Sequence, residues 1–170
     1  MGSEKSLFLI MGAVVVFLIL GVIIFGPRAS SPSTNATDSA SLTPSDLVTN
    51  ESFFDFGTIS MKNGKVSHKF KVKNPLSQTV TATKLYTSCM CTEASLIKGE
   101  SRKGPFGMQG HGFVPSISEN FNSGEEGEVE VTFDPNAHGP AGVGLIEREV
   151  FLEQTGGKIA KINIKAMVTP

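Results

Sequence analysis

Tryptophan is absent from this chain of 170 residues, tyrosine occurs once, and cysteine occurs only at Cys89 and Cys91. Two cysteines so close together cannot supply the set of bridges that holds a disulfide-rich secreted domain together, nor the distant pair that joins two sheets in an antibody-type domain. Positive charge is not in excess either: 15 basic residues stand against 16 acidic ones, and the lysines are dispersed. This excludes a basic stripe for nucleic acid and a basic patch for lipid headgroups. No nucleophile elbow, phosphate loop or Ser/His/Asp order occurs, and His68, His111 and His138 are scattered. Taken together these absences point to a protein that is not an enzyme. Beyond residue 25 no segment spaces its apolar residues as a helix would.

The N-terminus carries one long apolar run. Leu7 to Phe25 contains no charged residue, and at helical rise it reaches roughly 28 Å, close to the hydrocarbon thickness of a bilayer. It exceeds the apolar core of a cleavable signal, and the residues after it match a cleavage site poorly. The expected organisation is a short cytoplasmic tail at residues 1–6, a transmembrane signal anchor at 7–25 and a Ser/Thr/Pro-rich disordered stalk at 26–51. A globular domain then occupies 52–170. The stalk lacks the large apolar residues needed to offset ordering entropy. Such an anchor places a single-pass protein in the plasma membrane with its C-terminal domain outside the cytoplasm.

From Phe53 onward the pattern has a period of two. Val66, His68, Phe70 and Val72 alternate with Ser67, Lys69, Lys71 and Lys73, and Asn63-Gly64 before them is a hairpin-turn signal. Thr79 to Thr87 is β-branched and is expected to run through the cysteines to Ile97, with a bend or bulge partway because strands more often have about five or six residues. Val129, Val131 and Phe133 mark a further strand, then Ile146 to Glu153, and in the last strand Ala160, Ile162, Ile164, Ala166 and Val168 face inward. Lys98 to Glu119 is a Gly-rich insertion, too broken for a regular element and of a length that is often functional. About seven short strands with turn signals between them predict an all-β fold, an immunoglobulin-like β-sandwich.

Several motifs occur in a fixed order: Phe54-Asp55-Phe56-Gly57-Thr58-Ile59, Phe70-Lys71-Val72-Lys73-Asn74, Ser88-Cys89-Met90-Cys91-Thr92, and Gly124-Glu125-Glu126 before Val129-Glu130-Val131-Thr132-Phe133-Asp134. In this order they resemble the bacterial domain of unknown function 1573, a family related to the immunoglobulin-like domains of pilus chaperones and of ciliary and centrosomal proteins. The resemblance covers about Ser52 to Thr169. It implies fold and extracytoplasmic location and carries over no catalytic residue. The chain departs from the family in two places: Met90 stands where members typically have the glycine of Ser-Cys-Gly-Cys-Thr, and the Lys98 to Glu119 insertion is longer than usual.

Three readings of the cysteines stand open. In a strand, Cys89 and Cys91 would emerge on one face. Met108 and His111 of the insertion would then complete a soft ligand set of Cys89, Cys91, Met108 and His111, suited to copper(I), with Met90 and His138 as spare donors. The spacing fits no zinc pattern. Two structural thiols, packed as small hydrophobes, are the plainer reading. A Cys89–Cys91 disulfide suits an oxidising compartment but is opposed by the parallel side chains of strand neighbours. The sequence assures no cofactor. The function expected is that of a membrane-tethered binding or scaffolding domain of a bacterial envelope, holding a protein partner at a sheet edge or at the Gly-rich loop. The alternative is an extracytoplasmic copper-binding or thiol-redox protein using Cys89 and Cys91.

Overall fold

The computed structural model describes residues 43–170, which form an all-β sandwich of two sheets. The strands in chain order are β1 (Thr43–Pro44), β2 (Val48–Thr49), β3 (Phe53–Ser60), β4 (Val66–Lys73), β5 (Val80–Thr87), β6 (Thr92–Lys98), β7 (Ser101–Phe106), β8 (Glu119–Phe121), β9 (Glu126–Phe133), β10 (Gly144–Gln154) and β11 (Lys158–Thr169). One sheet runs β1-β11-β10-β5-β8, with β3 parallel to β11 at its edge, and the other runs β2-β4-β9-β6-β7. The alternation predicts β3, β4, β9, β10 and β11, and its one long run from Thr79 to Ile97 holds β5 and β6. The four others are short or irregular pieces at sheet margins, where little alternation can accumulate.

The core lies between the sheets and follows the period-two pattern. Phe70 and Val72 of β4, Val129 and Val131 of β9, Val150 and Leu152 of β10, and Ile162 and Ile164 of β11 are essentially inaccessible. Burying each such side chain contributes about 1.5–3 kcal/mol. The inward positions expected for β4 and β11 are those observed.

Four local expectations are corrected. Asn63-Gly64 does not make a hairpin: a 3-10 turn at Met61–Asn63 carries the chain from one sheet to the other, so β3 and β4 do not pair. The strand expected from Thr79 to Ile97 is two strands in different sheets, broken at Ser88–Cys91. The first part of the insertion is regular after all. Ser101–Phe106 pairs with β6 as an edge strand, the position in a sheet that tolerates a proline such as Pro105. At Gly104 a Cβ would stand 2.8 Å from the Ala94 carbonyl oxygen, and φ is +120°, so glycine there permits the close approach.

The fourth concerns where the sandwich begins. Leu47 is buried, and the buried Gln154 accepts from the backbone N–H of Asp46 at 3.0 Å and of Leu47 at 3.3 Å. Lys158 pairs with Asp46 at 2.6 Å. The segment placed in the stalk therefore joins the domain from Thr43 onward, because one leucine and a few polar anchors suffice where short strands can add to existing edges. The anchor expected at 7–25, the tail at 1–6 and the stalk up to residue 42 lie outside the described residues. Among the described residues no helix is long and apolar enough to cross a membrane.

Candidate functional site: a disulfide turn between the sheets

Between β5 and β6 the chain crosses from one sheet to the other in the turn Ser88–Cys91. The backbone N–H of Thr92 donates to the Cys89 carbonyl at 3.1 Å and closes the turn. Thr87, just before it, is buried, and its hydroxyl lies 2.8 Å from the Thr92 carbonyl and 3.0 Å from that of Cys89. Ser88 donates its N–H to the Glu149 carbonyl at 2.9 Å, and its hydroxyl oxygen accepts the Glu149 N–H at 2.9 Å. On the other side the Asp134 N–H donates to the Cys91 carbonyl at 2.8 Å. The turn is thus held from β10, from the end of β9 and from within.

This geometry brings the cysteines within reach of a bridge. They are not strand neighbours with parallel side chains. The turn sets their Cα atoms 5.3 Å apart, within the usual range for a bridge, and they form a disulfide. The plainer reading of two structural thiols is corrected accordingly. Met90, between them, is 55% exposed on the outside of the turn. It takes no positive φ, so the turn accepts a side chain where the family typically has glycine.

Three groups surround the bridge. His138, just ahead of the 3-10 turn Gly139–Gly142, places Nε2 3.2 Å from Cys89 Sγ. Arg148 of β10 donates from Nε to Cys91 Sγ at 3.2 Å and from Nη1 to the Glu147 carbonyl at 2.7 Å. The Cys91 N–H lies 3.3 Å from Cys89 Sγ. The two sulfurs differ in access: Cys91 is 2% exposed, whereas Cys89 is half-buried.

Of the four residues singled out from sequence, Cys89 and Cys91 come together. The third donor atom within 4.8 Å of both sulfurs is His138 Nε2, the imidazole expected only as a spare. His111 is exposed in the Gly-rich loop and is not part of that group. Met108 reaches the turn through its backbone, bridging to Thr87, whose N–H donates to the Gly107 carbonyl at 3.1 Å.

Arg148 is the neighbour of the sulfurs that the sequence reading missed, although a signal for it exists. Ile146, Val150 and Leu152 face inward on β10, and Arg148 shares their phase, a cation among core positions. Two other motif residues are structural. His68 Nε2 lies 2.7 Å from Glu51 and its ring stacks on Phe54 with centroids 3.5 Å apart. Asn74, fully buried, donates from Nδ2 to the carbonyls of Gln78 at 2.7 Å and Phe121 at 2.8 Å, tying the end of β4 to the opposite sheet.

Comparison with known proteins finds no match among curated proteins. Among solved structures the chain is similar to the VesB protease of Vibrio cholerae, with 18% identity over 72% of this chain and 32% of that one and a TM-score of 0.44. It is similar to a protein of unknown function from Porphyromonas gingivalis W83, with 12% identity over 76% of this chain and 51% of that one and a TM-score of 0.49. It is also similar to an ASH/PapD-like domain of human CEP192, with 14% identity over 82% of this chain and 96% of that domain and a TM-score of 0.40. The chain thus spans about a third of the VesB structure and about half of the Porphyromonas one. Residues 47–107 match the family described as Protein of unknown function (DUF1573), and the resemblance carried by the ordered motifs is borne out over those residues.

Proposed function

We propose that this chain is a non-enzymatic, membrane-tethered binding domain on the outside of a bacterial cell, which holds an extended segment of a protein partner along the free edge of β4. The observation that carries this reading is the edge itself. β2 covers only Val72 and Lys73. Asn50 occupies both backbone groups of Lys71, donating its N–H to the carbonyl at 3.1 Å and accepting the Lys71 N–H on Oδ1 at 2.8 Å. Peptide groups alternate in direction along a strand, so Ser67 and Lys69 turn theirs the same way as Lys71. No strand pairs with Ser67 or Lys69 on that side among the described residues. A partner strand added there would gain main-chain hydrogen bonds directly.

Two features support the location. A disulfide suits a compartment outside the reducing cytoplasm, and Leu7 to Phe25 has the length and composition of a membrane span. The test uses the full chain in its membrane with a photoreactive residue at Ser67 or, as control, at Thr155 in the β10–β11 turn. An adduct to a partner is expected from position 67, and Lys69→Pro is expected to abolish it by deleting an outward N–H while sparing the bonds to β9. No adduct from position 67, equal adducts from both positions, or an adduct that survives Lys69→Pro contradicts the proposal.

A further inference from the structure

We propose that the Cys89–Cys91 bridge is a thiol–disulfide exchange site, in which Cys89 is the sulfur attacked by an incoming thiolate and Cys91 is the sulfur released. The exchange is stoichiometric, one bridge reduced per two thiols oxidised, so it stands beside the non-enzymatic binding reading and does not depend on it. A bridge between residues two apart in sequence restricts the unfolded chain very little, so it is poorly suited to be a staple. The turn is already held by the hydrogen bonds of Thr87, Ser88 and Thr92 and by that of Asp134. The bridge therefore adds little to a turn that is fixed without it.

The surroundings of the two sulfurs are those exchange requires. Attack is governed by access to the sulfur and by how well the leaving thiolate is stabilised. Cys89 offers the access, while Cys91 is enclosed at 2% exposure. Cys91 has the stabilising partner, since Arg148 Nε–H already points at its Sγ from 3.2 Å, and a guanidinium beside a sulfur favours the thiolate. His138 Nε2, 3.2 Å from Cys89 Sγ and exposed, is placed to take the proton of an arriving thiol.

The reaction balances with thiol as the co-reactant. A first thiolate RS⁻ attacks Cys89 Sγ. An RS–Sγ bond forms, the Sγ–Sγ bond breaks, and its electron pair stays on Cys91 Sγ beside Arg148. A second thiolate attacks the R sulfur of the mixed disulfide, releasing RSSR and leaving Cys89 as thiolate. With a proton to each sulfur the sum is two RSH plus the bridge giving RSSR plus two cysteines: the thiols are oxidised and the bridge is reduced.

The test treats the oxidised full-length chain with 2-mercaptoethanol, quenches with acid, blocks free thiols and locates the adduct by fragment masses. The expected result is adduct on Cys89 in about tenfold or greater excess over Cys91. Arg148→Met is expected to slow opening by about tenfold and Arg148→Lys to restore part of the rate, with circular dichroism confirming that each variant is folded. Adduct divided equally, or lying on Cys91, overturns the proposal, as does a folded Arg148→Met chain that opens at the unsubstituted rate. Should Arg148→Met fail to fold, mapping on the unsubstituted chain decides alone.

Discussion

Two passages between the sheets meet at Thr87 and are built in opposite ways. The short one, Ser88–Cys91, connects β5 to β6, carries the disulfide and is fixed by neutral hydrogen bonds. The long one, residues 107–118, connects β7 to β8. Near its start Met108 bridges to Thr87. Near its end the Ile117 N–H donates to the Thr83 carbonyl at 2.9 Å, and beyond that Glu119 is clasped by Lys98 at 2.9 Å and Lys103 at 2.7 Å. Phe113 between these anchors is 90% exposed. Unusual composition marks the long passage, yet the histidine at the sulfurs comes from the β9–β10 connection and the cation from β10. A site forms where several elements pin one backbone segment, and a glycine-rich loop provides no such convergence.

The comparison breaks most readily at Thr87. Its buried hydroxyl serves the short passage, so Thr87→Val keeps the shape while leaving buried carbonyls short of a donor, at a cost of about 2 kcal/mol. Chemical denaturation measures it, and a loss below about 0.5 kcal/mol, the range of ordinary surface changes, would mean that the turn is held by something else.

Acid separates the two passages further. The hydrogen bond from Lys103, against the opposing effect of burial and with a second bond from Lys98, holds the Glu119 carboxyl below the usual carboxylate range. For Lys98, burial pulls its value down, but the bonds to Glu119 and Glu125 outweigh this and raise it. A group with a depressed folded pKa contributes stability above its ordinary value and loses it as pH falls through the depressed one. Glu119 is 13% exposed, so Glu119→Gln is expected to cost about 1 kcal/mol near neutral pH. That gap should close as pH drops below the ordinary carboxylate range. A gap that stays constant with pH would show that the long passage is not held by charge.

Much of the sandwich was legible in the sequence because period-two alternation has one cause, a buried face and a wet one. β4 and β11 display it without interruption. What alternation cannot report is which sheet a strand joins. Asn63-Gly64 and Ser88–Cys91 both read as local features, and both prove to be sheet-to-sheet crossings, set by packing of residues distant in the chain. The site was legible in half: Cys89 and Cys91 stand out by rarity. His138 and Arg148 reach them across sequence separations of 49 and 57 residues, and nothing local announces that. Arg148 alone left a trace, as a charge in the inward phase of β10.

The account rests on the bridge, and its state is directly measurable. The full chain, isolated without reductant and with iodoacetamide present from lysis onward, is predicted to carry no alkylation at Cys89 or Cys91 until a reductant is added, and to carry it at both afterwards. Alkylation of both cysteines before any reductant would contradict the disulfide and the exchange site built on it.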